Sequence, residues 1–509
     1  MDLQHMFFDI LFNSHLIWLW LVLGFFIVGT IKKNTVYTLA GLAILVTVVY
    51  ISYKRIDSSF CLHLGADMML VSCLGYFAMQ KGKLVRVIYV IAASMILFAA
   101  HSCIPNKLGD LTVSKETGIF SIADPNGELL VKFENQKYLK EWIDQYASDY
   151  NIIYPAFTPE DKSYGLDEYL IIDLMDSESI ENSINELESQ SLVSYAEVNE
   201  IVELKLPAIQ RGNTKTNKYS AINDPDINKQ WITKNYDIDK YHQKLSNKIN
   251  GYKNNRSLIA ILDTGIDAEH EDLQDNYVST LKTYDKDVRG HGTHCAGIAA
   301  AVTGNGIGIA SWVPQGAPVK ITSIKVLNNM GMGTQRTIVN GILKAADIGA
   351  DVISLSLGAK SNPSREKAYQ EAVSYAMEKG SIVVVAAGNS KSDALYYSPA
   401  NTPGVISVAA VDSTFQLAEF SNYVDNLSQG ISAPGAGIYS TLPGNQYGAQ
   451  NGTSMAAPFV SGIVGLMRLY EPDMSTEEAY NTLKYTAIKN KKQHIVDPLG
   501  AIERVSYNQ

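Results

Sequence analysis

Hydrophobic positions change their spacing three times along the chain. The first hundred residues carry four long apolar runs: 16–31, followed by Lys32 and Lys33; 35–53, followed by Lys54 and Arg55; 60–79, ending at Lys81 and Lys83; and 84–100. Each has the length, or nearly so, of a helix crossing about 30 Å of hydrocarbon. From residue 118 the runs shorten. Residues 129–133 and 169–174 read as strands. Leu139, Trp142, Ile143 and Tyr146 recur at helical spacing, as do Ile180, Ile184 and Leu187 within 179–188. Residues 193–197 and 201–206 add strand, and the order fits a small α+β ferredoxin-like sandwich. After a polar linker the pattern changes again. Solid apolar runs at 258–262 and 382–387 are the pattern of strands buried on both faces of a parallel sheet, and helical segments alternate with them up to about 464.

These changes divide the 509 residues into a membrane module over 1–105, a compact α+β unit over 118–206, a linker over 207–222 and a larger α/β domain over 223–505. A signal peptide would need a charged start and a single short apolar core. Asp2, Asp9 and the three further runs speak against one. Lys32, Lys33, Lys81, Lys83 and Arg86 on one side slightly outnumber Lys54, Arg55, Lys107 and Lys115 on the other. The cytoplasmic side takes the larger share, which puts both termini, and with them the globular part, outside the cytoplasm. His63 and Asp67 share a helical face within the third run. A polar contact between spans, or a shifted span boundary, accounts for them better than a function does.

Charge and cysteine usage narrow the classes. The net charge of −10, with no long basic run, gives no footprint for nucleic acid. Cys61, Cys73 and Cys103 lie in or beside the membrane module, so Cys295 has no partner for a disulfide within the globular part. Zinc-type cysteine spacing is absent.

Four short segments of the last domain carry the candidate chemistry: Asp263-Thr264-Gly265-Ile266-Asp267, His291-Gly292-Thr293-His294-Cys295-Ala296-Gly297, Ala386-Ala387-Gly388-Asn389 and Gly452-Thr453-Ser454-Met455-Ala456-Ala457-Pro458. A serine hydroxyl needs a base, and the base needs an orienting acid. The order Asp263, His291, Ser454 is one of the known solutions to that geometry. Asp263 ends an apolar run, where open α/β sheets place ligands. Ser454 opens a small-residue run that reads as a helix start, with Pro458 in its first turn. That helix would aim its N-terminal dipole at developing negative charge. Asn389 ends another apolar run and is the candidate oxyanion donor.

Together these motifs resemble the subtilisin-like serine proteases, from about Asn223 to Ala501, with wording near Cys295 and Tyr397 similar to the proteinase K branch. The resemblance implies a parallel sheet flanked by helices and a serine endopeptidase working through an acyl-enzyme, with Asp263, His291 and Ser454 as triad. It makes His294 structural and Cys295 a buried neighbour. It implies a peptide cleft with Gly331, Met332 and Gly333 on one side. Ser356, Leu357 and Gly358 with Ala386, Ala387 and Gly388 form uncharged pocket walls, and Tyr397 lies at the pocket floor. Peptide or protein is the implied substrate. The 118–206 unit is similar to the family's inhibitory pro-domain, and the linker is then the processing zone of a zymogen. No cofactor is implied for the chemistry. Calcium enters as a structural ion through Asp272 and Asn305, although the loop 303–308 is shorter than the subtilisin form and a turn or cap is the alternative role for Asp272. Two other functions fit parts of the pattern: an inactive membrane binding or chaperone module that keeps a protease fold, and a protease whose membrane module senses a signal.

Overall fold

The large sheet is built so that successive residues of one strand serve two different cores. In Ser257–Asp263, Ile259 and Ile261 face one layer of helices while Ala260 and Leu262 face the other. In Ile382–Ala386 the split is Ile382, Val384 and Ala386 against Val383 and Val385. The side-chain period of two thus turns the solid apolar runs of the sequence into the middle layer of a helix–sheet–helix sandwich. The computed structural model describes residues 127–146, 149–174, 180–208, 222–249, 255–361 and 366–507. The four apolar runs of the first hundred residues, with His63 and Asp67, and most of the linker (209–221) lie outside the described residues. Among the described residues no helix is long and apolar enough to cross a membrane.

The first part comprises β1 (Leu129–Phe133), α1 (Gln136–Tyr146), β2 (Asn151–Ile153), β3 (Tyr169–Asp173), α2 (Ile180–Ser189) and β4 (Val193–Val198). Its antiparallel sheet has the order β2-β3-β1-β4. This is the βαββαβ arrangement expected from the sequence, with β2 as the strand that the apolar pattern did not reveal. Leu129, Val131 and Phe133 pack on Leu139 and Trp142 of α1 and on Ile184 and Leu187 of α2. Leu130, Tyr169 and Ile171 point the other way, into a core shared with the large part.

The large part continues with β5 (Ile201–Glu203), α3 (Trp231–Asn235), α4 (Ile238–Ile249), β6 (Ser257–Asp263), α5 (His291–Ala300), β7 (Val319–Lys325), β8 (Met332–Thr334), α6 (Gln335–Asp347), β9 (Val352–Leu355), β10 (Ala359–Lys360) and α7 (Lys367–Glu378). Then come β11 (Ile382–Ala386), β12 (Tyr397–Ser398), β13 (Val405–Val411), β14 (Gly430–Pro434), β15 (Ile438–Leu442), β16 (Gln446–Gln450), α8 (Thr453–Tyr470), α9 (Thr476–Thr486), β17 (Ile488–Asn490), β18 (Gln493–Ile495) and α10 (Pro498–Tyr507). The sheet order is β17-β18-β14-β13-β11-β9-β6-β7, parallel throughout except for the β17–β18 edge pair. Helices α5 and α8 cover one face, α6 and α7 the other. This is the α/β architecture that the resemblance implied.

Strand β5 corrects the sequence reading in one respect. It does not join the small sheet. It pairs antiparallel with β8 of the large part, Ile201 opposite Thr334, Val202 opposite Gly333 and Glu203 opposite Met332. Just before it, the small sheet supplies helix caps. The Glu197 carboxylate accepts the N–H groups of Lys367 and Ala368, each at 3.0 Å, and the Tyr195 hydroxyl at 2.6 Å. The Asn199 side chain accepts the N–H of Arg336 at 3.0 Å and the Glu200 carbonyl that of Gln335 at 2.8 Å. The first-turn donors of α6 and α7 have no partner within their own helices, and residues 197–200 satisfy two of them in each.

Candidate active site

Asp263 stands at the C-terminal end of β6 and His291 at the first position of α5. The imidazole Nδ1 lies 2.8 Å from both carboxylate oxygens, with both side chains buried. Gly292 makes this approach possible: a Cβ there would sit 2.1 Å from the Gly265 carbonyl oxygen and 3.1 Å from the Asp263 Cβ. Asp287 fixes the entry to α5. One carboxylate oxygen accepts the Gly290 N–H at 2.8 Å and the Thr264 hydroxyl at 2.9 Å, while the other accepts the Thr293 N–H at 2.9 Å. The sequence reading passed over Asp287; its signal is an acid shortly before a helix start. Burial pushes the His291 imidazole down, and the Asp263 carboxylate outweighs it and holds the group well above its ordinary value. His291 Nε2 is buried and has no partner. His294, one turn along, turns toward β16. Its Nε2 meets the Gly448 carbonyl at 3.0 Å, and burial lowers it to about 3.

Ser454 opens α8 as its second residue. Its hydroxyl donates to the Ser356 carbonyl at 3.0 Å. Pro458 lies inside the helix, past the first turn that the sequence suggested. It has no N–H to offer the Ser454 carbonyl. That carbonyl accepts the Ser356 hydroxyl at 2.8 Å and the Cys295 thiol at 3.4 Å. Cys295 is a free, buried thiol, pushed up by that burial, with its sulfur 4.0 Å from His291 Nδ1. Asn389 follows β11 and the Gly388 turn (φ +99°), where a Cβ would meet Asn422 Nδ2 at 2.5 Å. Its side-chain oxygen accepts the Thr453 N–H at 2.8 Å and the Thr453 hydroxyl at 3.1 Å. The amide nitrogen therefore points outward, where it donates to the Lys205 carbonyl at 3.3 Å.

The remaining cleft residues gather around this point. Gly331 accepts the Leu204 N–H at 2.9 Å, and Met332 and Gly333 belong to the β8 edge that pairs with β5. Ser356, Leu357 and Gly358 follow β9, and Ala387 and Gly388 follow β11, which ends at Ala386. A Cβ on Gly358 would lie 2.8 Å from the Ser398 carbonyl, and one on Gly388 would lie 3.3 Å from the Tyr397 ring. The segments that follow β9 and β11 thus lie against Ser398 and Tyr397.

A second cluster lies away from this cleft. Asp272 accepts Asn305 Nδ2 and the Ile309 N–H, both at 2.9 Å. Asp224, which the sequence reading did not single out as a ligand, accepts the N–H groups of Gly304 at 2.7 Å and Gly306 at 3.1 Å. Both carboxylates are buried, and among the described residues neither forms an ion pair. Burial raises both, Asp272 to about 7. Two buried acids turn to one loop without a compensating positive charge, and their oxygens take N–H groups of that loop and the Asn305 amide nitrogen.

Residues 254–501 match the Subtilase family. Thermitase of Thermoactinomyces vulgaris is 46% identical over 214 residues, which cover 41% of this chain and 74% of thermitase. Subtilisin DY of Bacillus licheniformis is 42% identical over 244 residues, covering 47% of this chain and 85% of that protein. A solved protease structure from Pseudoalteromonas arctica PAMC 21717 covers 56% of this chain and 100% of that chain, at 29% identity and a TM-score of 0.48. The chain belongs to the subtilase family. It is a serine endopeptidase of the subtilisin type. These relatives give no support to the narrower likeness to the proteinase K branch.

Proposed function

We propose that Asp263, His291 and Ser454 form the catalytic triad of this endopeptidase, with Asn389 and the Ser454 backbone N–H as oxyanion donors. The observation that carries this reading is His291 itself: Nδ1 held at 2.8 Å by both oxygens of Asp263, Nε2 buried and free of partners, and Ser454 reached through Cys295 on the same helix. Rotation of the Ser454 hydroxyl away from the Ser356 carbonyl and onto His291 Nε2 prepares the attack. The serine oxygen adds to the scissile carbonyl, and its proton passes to Nε2. Asn389 Nδ2 donates to the new oxyanion, its orientation set by Thr453. The imidazolium returns its proton to the leaving amine, and water then hydrolyses the acyl-enzyme by the same route. A peptide enters by strand addition along Gly331–Met332–Gly333, and the recess at Ser356–Gly358, Ala386–Gly388 and Tyr397 receives the side chain before the cut. A fluorophosphonate probe labels Ser454 on this reading. Absence of label in folded protein would favour an inactive binding module.

The unit before β5 acts, in this proposal, as an inhibitory pro-domain. Supporting it are the β5–β8 pairing, which occupies the cleft edge, and the helix caps from Glu197 to Glu200. Residues 1–105 anchor the zymogen in a lipid bilayer through four spans, with the protease outside the cytoplasm; the four apolar runs and the flanking lysines and arginines support this. Protease accessibility in sealed vesicles tests the orientation. Asp272 and Asn305, joined by Asp224, would hold calcium once the Asn305 amide turned its oxygen toward Asp272; the ion would stabilise the 303–309 loop and take no part in bond cleavage.

A further inference from the structure

We propose that the first bond this protease cuts in its own chain is Lys205–Leu206, upstream of the whole polar linker, and that Lys205 makes this cut slow; the inference rests on the pro-domain reading above.

The chain is tied to the cleft on both sides of that bond. From Ile201 to Glu203 it pairs with β8. The next donor, the Leu204 N–H, reaches the Gly331 carbonyl at 2.9 Å. The next carbonyl, that of Lys205, accepts from Asn389 Nδ2 at 3.3 Å. Beyond the bond, the Ala208 carbonyl accepts from Asn451 Nδ2, three positions before Ser454. Of the peptides in this stretch, the one between Lys205 and Leu206 has its carbonyl on the oxyanion donor.

The side chains show why the presented bond is a poor one. Val202 and Leu204 are buried, but the Lys205 side chain is 71% exposed, and its ammonium lies 3.5 Å from the Glu203 carboxylate. It is outside the recess between Ser356–Gly358 and Ala386–Gly388. To enter, the ammonium must leave Glu203 and lose water between walls that carry no charge, at a substantial desolvation cost. Meanwhile the Ser454 hydroxyl is engaged with the Ser356 carbonyl, and His291 Nε2 stands unpartnered. Cleavage requires both side chains to move.

The reaction balances without a further reagent. The Ser454 oxygen bonds to the Lys205 carbonyl carbon as its proton passes to His291. The bond from that carbon to the Leu206 nitrogen breaks, and the nitrogen takes the proton. Water hydrolyses the Lys205 ester, leaving a Lys205 carboxylate and restoring the serine hydroxyl.

The test uses full-length chains in detergent, sampled early, with the amino termini of the fragments sequenced. The expected first fragment begins at Leu206. Lys205→Met should release that fragment roughly tenfold faster, since no charge is buried, and Lys205→Pro should abolish the cut. Wild-type fragments that begin only within 207–222, unchanged in Lys205→Pro, would overturn the proposal and leave the pro-domain reading standing. A Lys205→Met chain cut no faster than wild type would overturn the role of the lysine. Complete absence of self-cleavage, in chains that still hydrolyse added peptide, would overturn the pro-domain reading with it. Thermal unfolding of Lys205→Met and Lys205→Pro in the Ser454→Ala background checks that each variant folds.

Discussion

The Ser454 carbonyl takes its hydrogen bond from the Ser356 hydroxyl because Pro458, four residues on, cannot supply one. A proline inside a helix removes the i to i−4 bond, and here the vacated acceptor faces the end of β9. The result is a link between the residue that would attack the substrate and the wall that would hold it. Ser356 both donates to the Ser454 backbone and accepts from its hydroxyl. The small-residue run around Ser454 thereby ties the start of α8 to the sheet.

Substitution of the site should separate the groups that react from the group that stabilises charge. Ser454→Ala or His291→Ala is expected to abolish peptide hydrolysis, because the members of a triad act as a unit. Asn389→Ala should keep weak activity, down roughly 100- to 1,000-fold. Single-turnover kinetics on variants with unchanged thermal unfolding would check this; near-normal turnover in either triad variant would remove the assignment.

The pH dependence follows from the position of His291. The imidazole must be neutral to accept the serine proton, so kcat/KM should rise as pH rises through its pKa. Asp263 holds that pKa above the ordinary 6.5, which places the acid limb above that value. Asp263→Asn removes the raising charge and should move the limb to lower pH while kcat falls by about 10,000-fold. A pH–rate profile of the two proteins decides it.

Selectivity should follow the recess. Peptides with a large apolar residue before the scissile bond are expected to be cut faster than those with Lys, Arg, Asp or Glu there, since an unpaired charge between uncharged walls is costly. Tyr397→Gly should enlarge the recess and favour bulkier residues. A peptide-library profile dominated by charged residues would contradict this.

Calcium should act on stability and not on chemistry. A chelator is expected to lower the melting temperature, and added calcium to restore it, by the linkage of binding to folding. Asp272→Asn or Asp224→Asn should blunt that response. A calcium-independent melting temperature in the wild-type chain would leave Asp272 as a loop-closing acceptor for Asn305 and Ile309.

The candidate site was legible in the sequence because each of its segments is local. An apolar run ending in Asp263, or a helix opening on His291, can be read within a dozen residues. The small sandwich was legible for the same reason, apart from β2, whose three residues are too short to show a period. Less could be read of partners. Ile201–Glu203 alternates like a strand of the small sheet, but nothing in its pattern says that its ladder lies with Met332–Thr334. Asp287 carried a local signal, an acid shortly before a helix start, whereas Asp224 is a single acid whose role appears only when the distant N–H groups of Gly304 and Gly306 converge on it. The sequence pattern puts Pro458 in the first turn of a helix; it lies further inside, where the Ser356 and Cys295 side chains cover the carbonyl it leaves free.

The acid at position 197 ends up belonging to two folding units at once. Glu197 lies on β4, while the amides it receives belong to the first turn of α7. The small sheet thus supplies two acceptors that α7 cannot supply for itself, and loss of the Glu197 carboxylate would leave the Lys367 and Ala368 N–H groups without that partner. While the two parts remain together, the start of α7 is closed by a side chain from outside its own domain; once they separate, water must take over both donors.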